Sequence, residues 1–181
     1  MIYTVGHSTR ELAEFLGLLR AHGIRAVVDI RRYPASRRYP HFARDALAAA
    51  LGSAEVAYDH EAALGGRRAA RRDSPNTAWR SAAFRGYADH METAAFQEAL
   101  ARLITRARER RTAILCAEAV PWRCHRNLVA DALVARGEAV AHILSEAPPT
   151  PHTLSAHARI MPGGIVRYPA AVPPPDQLTL T

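Results

Sequence analysis

Residues 24–30, IRAVVDI, constrain the fold more than any other stretch of the chain. A strand packed on one face alternates apolar with polar residues, and this run does not. It reads as a strand buried on both faces, which is the habit of a parallel sheet covered by helices on each side. Upstream, residues 2–5 form an apolar, β-rich opening. Ser8 then stands three residues before Glu11, the capping-box spacing, and Leu12, Phe15, Leu16 and Leu19 follow at helical periodicity until Gly23. Strand, helix and buried strand make a βαβ unit with a parallel pair and a right-handed crossover.

The rest of the pattern extends this unit. The spacing predicts a helix over about 41–51 and a short strand over 55–58. Residues 65–77, with Arg67, Arg68, Arg71 and Arg72, read as an exposed loop because they hold little that could be buried. A helical region over about 78–110 breaks near Glu92, where Thr93 is placed to cap a second helix carrying Phe96, Leu100, Leu103 and Ile104 inward. Residues 138–144 supply a further strand, and 159–168 a small hairpin around a Pro-Gly-Gly turn. The expectation is one α/β domain over residues 1–181, a mainly parallel, Rossmann-like three-layer sheet. Its core is 1–144, and 145–181 form a Pro-rich C-terminal extension with the hairpin. No repeat and no second domain is visible.

Residues 112–137 carry most of the reactive side chains. A short apolar strand ends at Cys116, a tight loop holds Glu118 and Pro121, and a helix is expected to take Arg123, Cys124, His125 and Arg126 in its first turns. Both cysteines of the chain flank this loop. A helix N-terminus favours anions and lowers a thiol's pKa, so Cys124 is expected below the free-thiol value of about 8.5. The other strand ends are also polar: His7 and Ser8 follow the first, Asp29 and Arg31 end the second, and Tyr58 and His60 end the third. In an open parallel sheet the ligand crevice lies at the carboxyl ends of the strands, so these residues are expected to form one site.

Charge suggests the ligand. The 181-residue chain has a formal net charge of +7, and all 24 basic residues are arginines because lysine is absent. A positive field attracts phosphate-bearing partners. No stretch approaches the apolar length of a membrane span, and the N-terminus lacks a signal-peptide pattern, so a cytoplasmic protein without membrane partners is expected. In that compartment a cysteine pair is reactive, metal-binding or simply buried more often than it is a structural disulfide.

These residues also resemble a known family, the one catalogued as domain of unknown function 488. The resemblance rests on Thr4-Val-Gly-His-Ser-Thr9, Val28-Asp-Ile-Arg31, Pro34-Ala-Ser-Arg37, Leu64-Gly-Gly66, Cys116-Ala-Glu118 and Cys124-His-Arg126. It runs from the N-terminus to about residue 144, with Ile30 where valine is expected. It implies a shared domain and polar site, and no reaction.

Two motif comparisons limit the chemistry. Cysteine phosphatases separate thiolate and arginine by five residues, and Cys116 and Arg123 have six between them. Cys116, Cys124, His125 and His7 offer the four ligands a zinc ion needs, but their spacing fits no standard finger or ribbon and nearby arginines oppose a cation. No cofactor and no metal is therefore assigned. The leading expectation is a thiol-dependent hydrolase or transferase acting on a phosphate-bearing substrate, a nucleotide or nucleic acid. Cys124 or Cys116 is the nucleophile, His125 or His7 the acid/base and Glu118 an orienting or general-acid carboxylate. Arg31, Arg37 and Arg126 hold the anion, and Ser8, Tyr58, Gly65 and Gly66 complete the substrate-binding set. The alternative is a non-catalytic nucleic-acid or nucleotide binding module. Oligomeric state is left open.

Overall fold

The apolar run predicted to be buried on both faces is so: Val27 and Val28, adjacent on one strand, have no solvent exposure and pack into two different cores. The computed structural model describes residues 1–35 and 38–170. Its main sheet has six strands, β1 (Ile2–Gly6), β2 (Ala26–Asp29), β3 (Ala57–His60), β4 (Thr112–Cys116), β5 (Val140–Ile143) and β6 (Thr150–Pro151). Their order is β3-β2-β4-β1-β5-β6, with every pair parallel except β5 with β6. A separate hairpin pairs β7 (Arg159–Met161) with β8 (Ile165–Arg167).

Five helices cover the sheet. Phe15, Leu18 and Leu19 of α1 (Leu12–Ala21) and Leu47 and Leu51 of α2 (Arg44–Ser53) pack with Val5, Val27 and Leu115 on one face. Residues of α3 (Ala82–Met91), α4 (Ala94–Glu109) and α5 (Arg126–Ala135) pack with Ile2, Val28 and Ile114 on the other. The fold is therefore an α/β three-layer sandwich with a small antiparallel hairpin. None of the described helices is long and apolar enough to cross a membrane.

The connections fix where the site must lie. Neighbours β1 and β4 feed helices on opposite faces, α1 and α5, so the sheet switches direction between them. Beyond their carboxyl ends the chain leaves a crevice. His7 and Cys116 stand at its two sides, joined by a hydrogen bond from the His7 amide to the Cys116 carbonyl at 3.0 Å. Gly6 lets this happen. A Cβ there would lie 1.9 Å from the Glu118 carbonyl oxygen, so only glycine allows the loop after β4 to close over β1.

Local signals met different fates. Thr93 caps α4, its hydroxyl accepting from the Phe96 amide at 3.3 Å, and Phe96, Leu100, Leu103 and Ile104 are buried. The capping box at Ser8 does not form. Ser8 adopts a positive φ of 52° and α1 starts only after Glu11, with no side-chain cap, because the chain first turns over the end of β4. Two elements are shifted by two or three residues: the strand expected over 55–58 is β3, and the helix expected over 41–51 is a 3₁₀ turn, Pro40–Phe42, followed by α2.

Residues 65–77 form the expected loop, exposed at Arg67, Ala69, Arg71, Arg72, Asp73 and Thr77, but it is anchored at Ser74 and Asn76. Asn76 is fully buried, and Asp89 on α3 gathers the segment through the Arg71 amide, the Ser74 hydroxyl and the Asn76 amide group. Hydrogen bonding, not apolar content, anchors it. Those bonds also hold the Asp89 carboxyl below its ordinary value against the effect of burial. Residues 150–151 of the C-terminal extension are likewise tied down, adding β6 to the sheet edge, a strand the proline content had hidden.

Candidate functional site

The crevice is a cleft of about 720 Å³. Among the predicted residues His7, Ser8, Arg31, Gly66, Cys116, Glu118, Cys124 and His125 line it. Tyr58, Gly65 and Arg126 do not, and Arg37 lies outside the described residues.

Cys116 ends β4, and its partners arrive on the next stretch. Residues Pro121–Arg123 form a 3₁₀ turn, Cys124 has extended backbone with φ −130°, and α5 starts only at Arg126, with His125 as its N-cap. Cys124 is thus ahead of the helix and not in its first turn, as the sequence suggested. Its Sγ nevertheless accepts from the Arg126 amide at 3.4 Å. Both cysteines are free and buried, 7% and 5% exposed, while lining the cleft floor.

His125 joins them. Its Nδ1 lies 3.6 Å from Cys124 Sγ and 3.9 Å from Cys116 Sγ. Its Nε2 donates to the Ile30 carbonyl at 3.2 Å, because a carbonyl only accepts. In its neutral form the ring therefore carries its proton on Nε2 and turns the Nδ1 lone pair toward the sulfurs, where it can take the thiol's proton. Gly66 presses on the same atom: a Cβ there would lie 2.9 Å from His125 Nδ1. Tyr87 packs beside the imidazole, with ring centroids 4.9 Å apart, and its hydroxyl donates to the Leu64 carbonyl at 2.6 Å.

The two thiols differ. A hydrogen bond from Cys124 is the largest influence on Cys116 and, with His125, holds its thiol well below the ordinary value despite burial. Cys124 is pushed up, first by the proton it shares with Cys116 and then by burial. The favoured charge state is a Cys116 thiolate beside a protonated Cys124, the reverse of what a helix N-terminus argument assigns.

His7 and Arg31 form the opposite wall. The Ser8 carbonyl takes the proton of His7 Nδ1 at 2.9 Å, leaving Nε2 to accept from Arg31 Nη1 at 3.3 Å. Burial and then the Arg31 charge lower His7 to about 4, so it stays neutral at neutral pH. Every nitrogen of Arg31 is already engaged. Its Nε and Nη2 bind the Asp29 carboxylate, Nη2 at 2.5 Å, and Nη1 also donates to the Phe42 carbonyl at 2.8 Å. Tyr58 completes that pair, its hydroxyl donating to Asp29 Oδ2 at 2.8 Å behind the cleft wall. Arg126 is fully buried, with Nη1 and Nη2 donated to the carbonyls of Val5, Glu118 and Ala119. It ties the loop after β4 to β1 and has no path to a ligand in the cleft. Gly65 packs on the Arg32 backbone, where a Cβ would meet Cα at 2.7 Å.

Among the described residues, the cations that line the cleft besides Arg31 are Arg32, Arg67 and Arg123, the last two exposed. Arg32 donates through Nη1 to the Arg67 carbonyl at 2.6 Å. Glu118, also exposed, accepts from the Val120 amide at 3.3 Å. Sequence reasoning missed these arginines as a set. The signal available was adjacency: Arg32 follows Arg31 at a strand end, and the side chain beyond the one that pairs is the one that reaches solvent.

A family model described as domain of unknown function DUF488 matches residues 11–133. The chain belongs to this family. The matched span holds Asp29, Arg31, Gly65, Gly66, Cys116, Glu118, Cys124, His125 and Arg126, and begins just after His7 and Ser8. No curated protein and no solved structure matches the chain.

Proposed function

We propose that the cleft is the active site of a thiol-dependent hydrolase or transferase acting on a phosphate-bearing substrate, a nucleotide or a nucleic acid. The observation that carries this reading is the trio at its floor. A thiol whose charged form is favoured, an imidazole with its lone pair aimed at that thiol, and a carbonyl that orients the imidazole make the nucleophile, base and orienting group of covalent catalysis. Arg32, Arg67 and Arg123 bind the phosphate as a handle. Cys116 Sγ attacks the electrophilic atom beside it, and the leaving group, oriented by Glu118, departs with the bonding pair and the proton that His125 Nδ1 took from the thiol. Water, or an acceptor hydroxyl, then displaces the thiolate and gives its proton to His125 Nδ1. Arg31, His7 and Arg126 position the walls.

One observation favours the second reading, a non-catalytic nucleic-acid or nucleotide binding module. Tyr33 and Trp122, 61% and 64% exposed, stand next to Arg32 and Arg123 and offer faces for base stacking. The thiol separates the two. Brief iodoacetamide treatment of metal-free protein at neutral pH should label Cys116 before Cys124, a nucleotide should protect it, and Cys116→Ser should abolish turnover of a phosphoester panel. Equal nucleotide affinity in wild type and Cys116→Ser, with turnover by neither, would establish the binding module instead.

A further inference from the structure

We infer that Cys116, Cys124 and His125 form a three-ligand site for a thiophilic divalent cation of the zinc type, with the remaining coordination position supplied from the cleft. The three ligand atoms, two Sγ and Nδ1, lie within 4.8 Å of one another. Zinc bonds of about 2.3 Å to sulfur and 2.0 Å to nitrogen put tetrahedral neighbours about 3.6 Å apart for sulfur and nitrogen. The Nδ1–Sγ separations of 3.6 and 3.9 Å already match this edge. The remaining Sγ–Sγ separation is within 4.8 Å, against about 3.8 Å for a tetrahedral pair of sulfurs.

Two independent features support a metal. A metal-bound histidine normally donates its other ring N–H to a carbonyl or carboxylate, and His125 Nε2 donates to the Ile30 carbonyl, leaving Nδ1 free for the ion. The Arg126 amide donates to Cys124 Sγ, which stabilises a ligating thiolate. All three ligands line the cleft, so the fourth ligand is water or an added anion. Two cysteines, one histidine and an open position are the pattern of a reactive zinc site, not of a closed structural one.

The spacing argument against zinc concerned fingers and ribbons, whose ligands come from one hairpin. Here a strand end and a helix N-cap supply them. The charge argument weakens as well. Arg31 is neutralised by Asp29, the Arg126 guanidinium is engaged by three carbonyls, and two thiolates balance the dication. Metal occupancy and nucleophilic attack use the same sulfurs and exclude each other. Zinc binding therefore switches the proposed thiol chemistry off.

The full chain, stripped with a chelator and reloaded with Co²⁺, tests this. The expected result is one Co²⁺ per chain, a thiolate-to-cobalt charge-transfer band and the intense visible bands of tetrahedral cobalt. Cys116→Ser and Cys124→Ser should each lose most of the charge-transfer band, and His125→Gln should weaken binding while keeping it. On wild-type protein, Zn²⁺ should displace Co²⁺ and block iodoacetamide labelling of both thiols, a readout that needs no variant to fold. Weak octahedral bands, unchanged cobalt binding in the double serine variant, or unhindered alkylation in excess Zn²⁺ would overturn the inference. Alkylation of the stripped protein reads the nucleophile separately, so either proposal can fail alone.

Discussion

Two polar clusters hang on the same helix, α5, and they differ in what is left over. At its N-terminus Cys116, Cys124 and His125 share protons in a loose triangle open to the cleft. Further along, Asp131 is fully buried and fully used. It accepts from His152 Nε2 at 2.8 Å, from the amide and hydroxyl of Ser155 at 2.9 and 2.6 Å, and from the Tyr168 hydroxyl at 2.8 Å. His152 Nδ1 in turn accepts from His142 Nε2 at 2.9 Å, and His142 Nδ1 from the Thr4 hydroxyl at 2.8 Å. An Asp-His pair with a serine nearby looks like chemistry by composition. With every Asp131 lone pair matched and the carboxylate itself out of solvent, it is architecture: it staples residues 152–168 to the core. The difference teaches that spare hydrogen-bonding capacity beside a cavity, and not residue type, marks the reactive cluster.

The largest test of that contrast is Asp131→Ala. It leaves four donors from three residues without a buried partner, at about 3–5 kcal/mol. For a chain this size the melting temperature should fall by about 10 °C, with the 150–170 segment becoming protease-sensitive. A change of only a degree or two would show that the cluster is not a staple.

Arg31→Ala asks on which side of the contrast the Asp29–Arg31 pair belongs. The pair sits at the cleft wall, yet every guanidinium nitrogen already has a partner. Removing the guanidinium strands the Asp29 carboxylate with the Tyr58 hydroxyl and a backbone amide, so a loss of several degrees in melting temperature is expected, with little change in phosphate affinity. The opposite pattern, a stable protein that no longer binds phosphate, would return Arg31 to the ligand.

A pH series probes both clusters at once, since His7 and His142 are each lowered to about 4, mainly by burial. The native state keeps them neutral while the unfolded chain protonates near 6.5, so stability is complete above that value and is lost as pH falls toward 4. Each contributes about 3 kcal/mol at most over that window. Thermal melts at pH 7, 5.5 and 4 in wild type and His142→Gln should show a shallower slope in the variant. Identical slopes would mean that His142 is charged in the native state.

The layers were readable because burial on both faces leaves a run like residues 24–30 no other place, and because Thr93 and the residues after it agreed on cap and period. The strand-end rule brought His7, Arg31 and Cys116 to one cleft without any knowledge of pairing. What stayed hidden were choices made by tertiary contact. Ser8 had the cap spacing, but the loop over β4 claimed its backbone. Arg126 looked like an anion ligand until three carbonyls enclosed it. Sequence order also could not say which thiol keeps the proton, since that depends on Cys124 donating to Cys116 across the loop.

The smallest expected effect on stability is therefore the most informative one. Cys116→Ser replaces a sulfur whose hydrogen bonds are long and shared, in a pocket already open to the cleft, so the fold should lose only about 1 kcal/mol or less. The melting temperature should shift by about 2–4 °C at most, against about 10 °C for Asp131→Ala. Labelling at neutral pH should nevertheless collapse, because the remaining Cys124 is the thiol that burial and its neighbour hold protonated. If Cys116→Ser unfolds as readily as Asp131→Ala, both clusters are structural and the contrast between them is void. If it stays folded and labels as fast as wild type, Cys124 is the reactive thiol, and the proton lies on the other sulfur.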